Sequence, residues 1–221
     1  MPSDPQALYA SYYDLPEVQR FLVQIFALLY EPGSKEKVRQ CWEIAIAKQN
    51  SFEHVEPPSL NDVKELIREL VDLDILIPRQ GMGAYCCDQI VDLIVRDAVR
   101  MATFEPIVEA IAQNFPIKER YPGGPPFFRN EMQFMREVRI AIYQEDLAAL
   151  KTLFMHVSGV YWRSTLTIGD AVRKVLNNPF DINWIDSLSN EFLELGLTAI
   201  LDHSLERCEP ADEAFELLKE R

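Results

Sequence analysis

The spacing of hydrophobic residues is helical along most of the chain. Val18, Phe21, Leu22, Ile25, Phe26, Leu28 and Leu29 form a broad apolar face, which predicts a helix over residues 16–30. Pro16 suits its first turn because a proline has no N–H to lose there, and Pro32-Gly33 ends it. Ser34 can cap a second helix reaching Lys48, with Val38, Cys41, Trp42, Ala45 and Ile46 as its buried stripe. A polar stretch over residues 49–58 ends in Pro57-Pro58, and Ser59 and Asp62 then have the spacing of a capping box. Leu60, Val63, Leu66, Ile67, Leu70 and Val71 predict a third helix. Two short β-rich runs, at residues 74–79 and 84–87, flank Gln80-Gly81-Met82-Gly83 and read as a hairpin. Three helices and then a hairpin is the order of a winged-helix domain, expected at residues 14–87.

Helical spacing resumes after Asp88. It predicts helices at residues 89–101, 104–114, 130–143, 146–157, 167–176 and 183–208, the last with a break near Gly196, and a final one from Pro210. Pro116, Pro122, Gly123, Gly124, Pro125 and Pro126 mark residues 116–129 as a loop. The expected organisation is a winged-helix-like domain plus a following helix pair at 1–115, the Pro/Gly-rich loop at 116–129 and a helical-hairpin domain at 130–221. The fold class is mainly α, with one short β-hairpin followed by antiparallel, helical-repeat-like pairs. Arg100-Met101-Ala102-Thr103-Phe104 resembles Arg139-Ile140-Ala141-Ile142-Tyr143, 39 residues later, a spacing that suits an internal helical-hairpin repeat; the alternative is two ordinary helical hairpins with similar corners. The last helical pattern is still running at Arg221, so the chain is expected to be one region of a longer protein.

Composition narrows the class more than the function. Apolar residues make up 48% of the 221, too many for a disordered chain. No apolar run is long enough for a membrane helix, and the first thirteen residues lack the basic and apolar regions of a signal peptide. Cys41, Cys86, Cys87 and Cys208 have no metal-ligand spacing, and reduced thiols in a cytoplasmic protein fit them best. The net charge of -13 repels nucleic acid and anionic membrane surfaces at long range.

Catalytic patterns are missing. Gly81-Met82-Gly83 precedes a strand and Gly123-Gly124 lies among prolines, so neither forms a phosphate-binding loop. His54, His156 and His203 have no histidine or cysteine at ligand spacing. No serine sits on a nucleophile elbow. The expectation is a non-enzymatic chain without cofactor or metal. Any ATPase activity would lie outside it.

Charge is unevenly placed. Over residues 59–76, two bases (Lys64, Arg68) face five acids (Asp62, Glu65, Glu69, Asp72, Asp74), a net of -3 on the helix that a DNA-reading winged helix lays in the major groove. The second helix is more basic, and Lys35, Lys37, Arg39 and Lys48 are the candidate nucleic-acid contacts if the domain reads DNA. Around the Pro/Gly loop, Arg120, Tyr121, Phe127, Phe128, Arg129 and Arg136 mix arginine with aromatics and form the candidate protein-contact surface. The alternative is that Phe127 and Phe128 anchor the loop to the core. Residues 181–221 hold eleven acids and three bases, a net of -8, as a solvated face or a dock for a basic partner.

Leu15-Pro16-Glu17, Leu29-Tyr30-Glu31-Pro32, the turn Leu70-Val71-Asp72-Leu73-Asp74-Ile75-Leu76 and the run Arg136 to Tyr143 resemble the N-terminal, pre-motor region of bacterial Swi/Snf-type DEAD/DEAH-box helicases. The same pattern is similar to winged-helix plus helical-repeat regions of signal-transduction ATPases. The resemblance implies an accessory region that regulates or recruits a motor beyond Arg221, and it carries over no catalytic residue. Three readings follow: a non-catalytic regulatory or protein-interaction module whose partner is another protein or another domain of the same polypeptide; a winged-helix DNA-binding transcription regulator; and a helical enzyme with no linear motif.

Overall fold

A computed structural model describes residues 4–48, 57–124, 126–157, 166–208 and 210–219, with the side chains of 156 and 157 outside the description. The chain forms two compact units, Met1–Lys118 and Glu119–Arg221. The fold is mainly helical.

The first unit is built on α1 (Pro5–Tyr13), α2 (Glu17–Leu29), α3 (Lys35–Ala47), α4 (Leu60–Asp72), β1 (Leu76–Arg79), β2 (Gly83–Cys86), α5 (Val91–Arg100) and α6 (Phe104–Asn114). Every residue of α2 from Phe21 to Leu29 is buried, as expected of a helix hydrophobic on all sides. It packs against α3, α5, α6 and β2, while α3 also packs on α6. Trp42 of α3 meets Phe21 of α2 edge to face, with ring centroids 5.2 Å apart.

The hairpin follows from alternation and glycine. Leu76 opposes Cys86 and Pro78 opposes Ala84, which puts Leu76, Ala84 and Cys86 on one inward face. Gly33, between α2 and α3, adds a bridge to the same ribbon: its N–H donates to Ala84 O at 2.9 Å, and Ala84 N–H donates to Gly33 O at 3.4 Å. The resulting order is helix, bridge, helix, helix, hairpin, that of a winged helix. Gly83 has φ +100°, and a Cβ there would lie 2.0 Å from Gly33 O, so only glycine lets β2 approach the bridge. Ser59 and Asp62 form the expected capping box, Asp62 N–H on Ser59 Oγ at 3.3 Å and Ser59 N–H on Asp62 Oδ2 at 3.0 Å. These bonds hold the Asp62 carboxyl below its ordinary pKa, the Ser59 side chain contributing most.

The helix α1 has no counterpart in the sequence expectations. It starts with Asp4 accepting from Gln6 N–H at 3.2 Å and Pro5 in the first turn, and it buries only Leu8 and Tyr12. Two inward residues are too few for apolar periodicity to announce a helix.

β3 (Lys118–Glu119) straddles the boundary between the units, and the second unit continues with β4 (Pro126–Phe127), α7 (Glu131–Tyr143), α8 (Leu147–Val157), α9 (Ile168–Leu176), α10 (Ile182–Asp186), α11 (Asn190–Arg207) and α12 (Asp212–Lys219). α7 packs on α8 and α9, α9 on α11, and α12 on α10 and α11. The expected helix over 183–208 is divided, but at Ser187–Ser189 rather than near Gly196. Glu145 Oε2 accepts from Ser189 N–H at 2.7 Å at the start of α11. Gly196 lies inside α11 because α9 comes close there: a Cβ would meet Leu176 Cδ1 at 2.2 Å.

The 39-residue correspondence is not a structural repeat. Ala102 has φ 56° and forms the corner between α5 and α6, whereas Ala141 lies inside α7, whose corner residue is Glu145 with φ 53°. Both corners close the same way. Thr103 N–H bonds Ala98 O and Asp146 N–H bonds Ala141 O, and Asp74 with φ 58° forms a third such corner where Ile75 N–H bonds Leu70 O. A left-handed residue closing the carbonyls of the last turn is a general way to end a helix.

Candidate interaction surfaces

The winged-helix face is carried by α4. The capping box fixes its start, and Val63 and Leu70 bury its inner side. Its outer side exposes Asp62, Lys64, Glu65, Arg68, Glu69 and Asp72. Arg68 Nη1 lies 3.2 Å from Glu65 Oε2, and Gln19 Nε2 donates to Glu69 Oε2 at 2.8 Å. A phosphate backbone meeting this side would face four carboxylates, with one of the two bases already paired.

The four candidate nucleic-acid contacts all have partners within the unit. Lys35 Nζ lies 4.0 Å from Glu36 Oε1. Lys37 Nζ donates to Asn114 O at 3.4 Å and stands 4.8 Å over the Phe115 ring. Arg39 Nε donates to Pro58 O at 3.0 Å, and its Nη2 pairs with Glu43 at 2.6 Å. Lys48 pairs with Glu109. Their spacing in sequence placed them on one helix, but the fold directs Lys37 and Lys48 toward α6 and its end rather than toward the outer side of α4.

The arginine and aromatic group divides in two. Arg120, Tyr121, Phe127 and Arg129 are exposed, with Tyr121 60% accessible. The loop carrying them is shaped locally: Gly123 N–H donates to Glu119 Oε2 at 2.7 Å, Gly124 N–H donates to Tyr121 O at 2.7 Å, and the Tyr121 ring covers Gly124. Phe128 and Arg136 do not belong to a surface. Each is 1% accessible. Phe128 meets Phe134 edge to face at 5.3 Å, and Arg136 Nε donates to Glu137 Oε1 at 2.7 Å. Phe128 thus anchors the loop to the core, and Phe127 does not.

One cluster of polar groups had no sequence expectation attached to it. Tyr12, Gln24, Asp97 and Thr103 are all at most 5% accessible and bonded to each other. Tyr12 O–H donates to Asp97 Oδ2 at 2.7 Å and accepts from Gln24 Nε2 at 3.0 Å, while Thr103 O–H donates to Gln24 Oε1 at 2.7 Å. Tyr9 O–H donates to Tyr13 at 2.6 Å, and Tyr13 O–H donates to Asp97 Oδ1 at 3.2 Å. Burial, reinforced by Asp97, pushes the Tyr12 hydroxyl far above the ordinary tyrosine pKa. Burial and the bond to Tyr13 do the same for Tyr9. The hydroxyls of Tyr9 and Tyr12 stay protonated at neutral pH and keep donating, and the bonds to Asp97 and Gln24 latch α1 onto α2 and α5. The usable sign in the sequence was Gln24, a lone polar residue within the buried run Phe21 to Leu29.

His54 lies outside the described residues, as does the side chain of His156. Cys41, Cys86 and Cys87 are buried free thiols and Cys208 is an exposed one. Among the described residues no group of three or more His, Cys, Asp or Glu side chains could hold a metal ion, and no helix is long and apolar enough to cross a membrane. Set against family models, curated proteins and solved structures, the chain matches none of them.

Proposed function

We propose that this chain is a non-catalytic regulatory and protein-interaction module, the N-terminal region of a larger ATP-dependent, helicase-like protein of the bacterial cytoplasm. The observation that carries the reading is the outer side of α4. Where a DNA-reading winged helix needs phosphate-binding bases, Asp62, Glu65, Glu69 and Asp72 are exposed and Arg68 is paired with Glu65. The bases Lys35, Lys37, Arg39 and Lys48, which could have compensated, are engaged by their own unit. Moving Lys37, Arg39 or Lys48 to phosphates would first break those contacts, while the pair of Lys35 with Glu36, 4.0 Å apart and partly exposed, is weak. The exposed Arg120, Tyr121, Phe127 and Arg129 supply arginine and aromatic side chains of the kind that dominate protein interfaces. The placement ahead of a motor rests on the resemblance to pre-motor regions, and reading the full-length frame past Arg221 tests that part.

The competing reading, a winged-helix DNA regulator, draws on the topology alone. A fluorescence-anisotropy titration of the chain against labelled duplex DNA, repeated across salt concentrations, separates the two. The interaction-module reading expects weak binding that K35E/K37E/R39E leaves unchanged. Tight binding that weakens steeply with salt, and is lost in that variant, would overturn it.

A further inference from the structure

In the second unit, α8, α9 and α11 line an open apolar cleft of about 420 Å³. Its floor is made by Leu147 of α8, Ile168 of α9 and Leu195 of α11, each only half-buried. Glu191 and Glu194 stand on the α11 side of its rim. They are three residues apart, so they project from one side of the helix. Both are exposed, and neither has a hydrogen bond or ion pair among the described residues. Lys151 of α8 also lines the cleft and is exposed.

Three half-covered aliphatic side chains beside two unpaired carboxylates form a patch with its own charge pattern. We propose that this cleft docks an amphipathic helix of a partner protein, with Leu or Ile residues seated on Leu147, Ile168 and Leu195 and Lys or Arg residues along the edge facing Glu191 and Glu194. An apolar ridge at i, i+3, i+4 spacing is how a helix fills such a groove. The basic edge follows from charge complementarity to Glu191 and Glu194, which belong to a segment, residues 181–221, with a net of -8. The same charge repels nucleic acid and anionic membrane surfaces. The partner's basic edge lies along α11, which carries Glu191 and Glu194, and Lys151 belongs to α8. This inference rests on the interaction-module reading and names the chemistry of a partner.

The test uses the whole 221-residue chain and a fluorescein-labelled helical peptide of Leu, Lys and Ala, with leucines at i, i+3, i+4 and i+7. Two companion peptides replace every Lys by Glu or every Leu by Ala. Saturable binding is expected for the first peptide only. E191K/E194K should weaken it about tenfold or more, and the neutral E191Q/E194Q by a smaller factor. E213K/E216K makes the same change of charge on α12 and should leave it within about twofold. Equal loss in both Lys variants would mean unspecific attraction to an acidic protein and would sink the proposal. So would undiminished binding of either companion peptide, or no saturable binding of the first. The DNA titration is a separate readout, so a failed cleft and a failed interaction-module reading are told apart.

Discussion

Replacing Tyr12 by Phe removes one oxygen from the α1 latch and tests whether that latch holds the first unit together. The lost hydroxyl donates to Asp97 at 2.7 Å and accepts from Gln24 at 3.0 Å. The ring stays, so the packing of a residue that is 0% accessible is nearly unchanged. A hydrogen bond to a charged acceptor contributes about 1.5–3 kcal/mol. Asp97 keeps Tyr13 at 3.2 Å and Gln24 at 3.3 Å as donors, which favours the lower part of that range. Tyr12→Phe should therefore destabilise the unit by about 2 kcal/mol, read as faster hydrogen exchange by mass spectrometry in peptides covering α1, α2 and α5. A pH series gives an independent check. The pKa of Tyr12 is raised on folding, so the folded state retains a proton that the unfolded chain loses above about pH 10. The stability it contributes is complete below that pH and declines as pH rises beyond it, by at most about 1.4 kcal/mol per pH unit. Tyr12→Phe should flatten this alkaline decline, and Tyr9→Phe should flatten it further. Exchange within about 0.5 kcal/mol of the parent, with an unaltered alkaline limb, would refute the latch.

Other substitutions test the fold and the surfaces. Gly83→Ala puts a Cβ 2.0 Å from Gly33 O at φ +100° and should cost at least about 2 kcal/mol, seen as lost protection at Gly33 and Ala84. Phe128→Ala should cost about 3 kcal/mol or more in denaturant unfolding followed at the second unit. Phe127→Ala, at 41% accessible, should stay within about 0.5 kcal/mol of the parent. Equal effects of the two would contradict the assignment of Phe128 as the anchor.

The winged-helix elements could be read from the sequence because local and long-range signals agree there. The α2 run, the Ser59 and Asp62 cap and the glycines before Ala84 each specify the element that forms. The bridge at Gly33 could not be read, because one residue pairing with the distant Ala84 leaves no periodicity. Gly196 misled for a physical reason: in isolation glycine weakens a helix, but here the missing Cβ admits Leu176. Charge was legible as totals but not as partnerships. Nothing local shows that Lys48 meets Glu109, or that Arg136 is interior while Arg129, seven residues earlier, is exposed. The cleft between α8, α9 and α11 needs three separate segments and is invisible until they are packed.

The most direct measurement of the central claim compares the chain with its E65K/E69K/D72K variant in one salt-titrated anisotropy series on duplex DNA. If the carboxylates of α4 keep phosphates away, the parent binds weakly with a shallow dependence on salt. The variant binds more tightly, and its log–log slope steepens by about one for each added lysine that reaches a phosphate. A parent that already binds tightly with a steep slope, unchanged in the variant, would contradict the account and place nucleic-acid contacts on this chain away from α4.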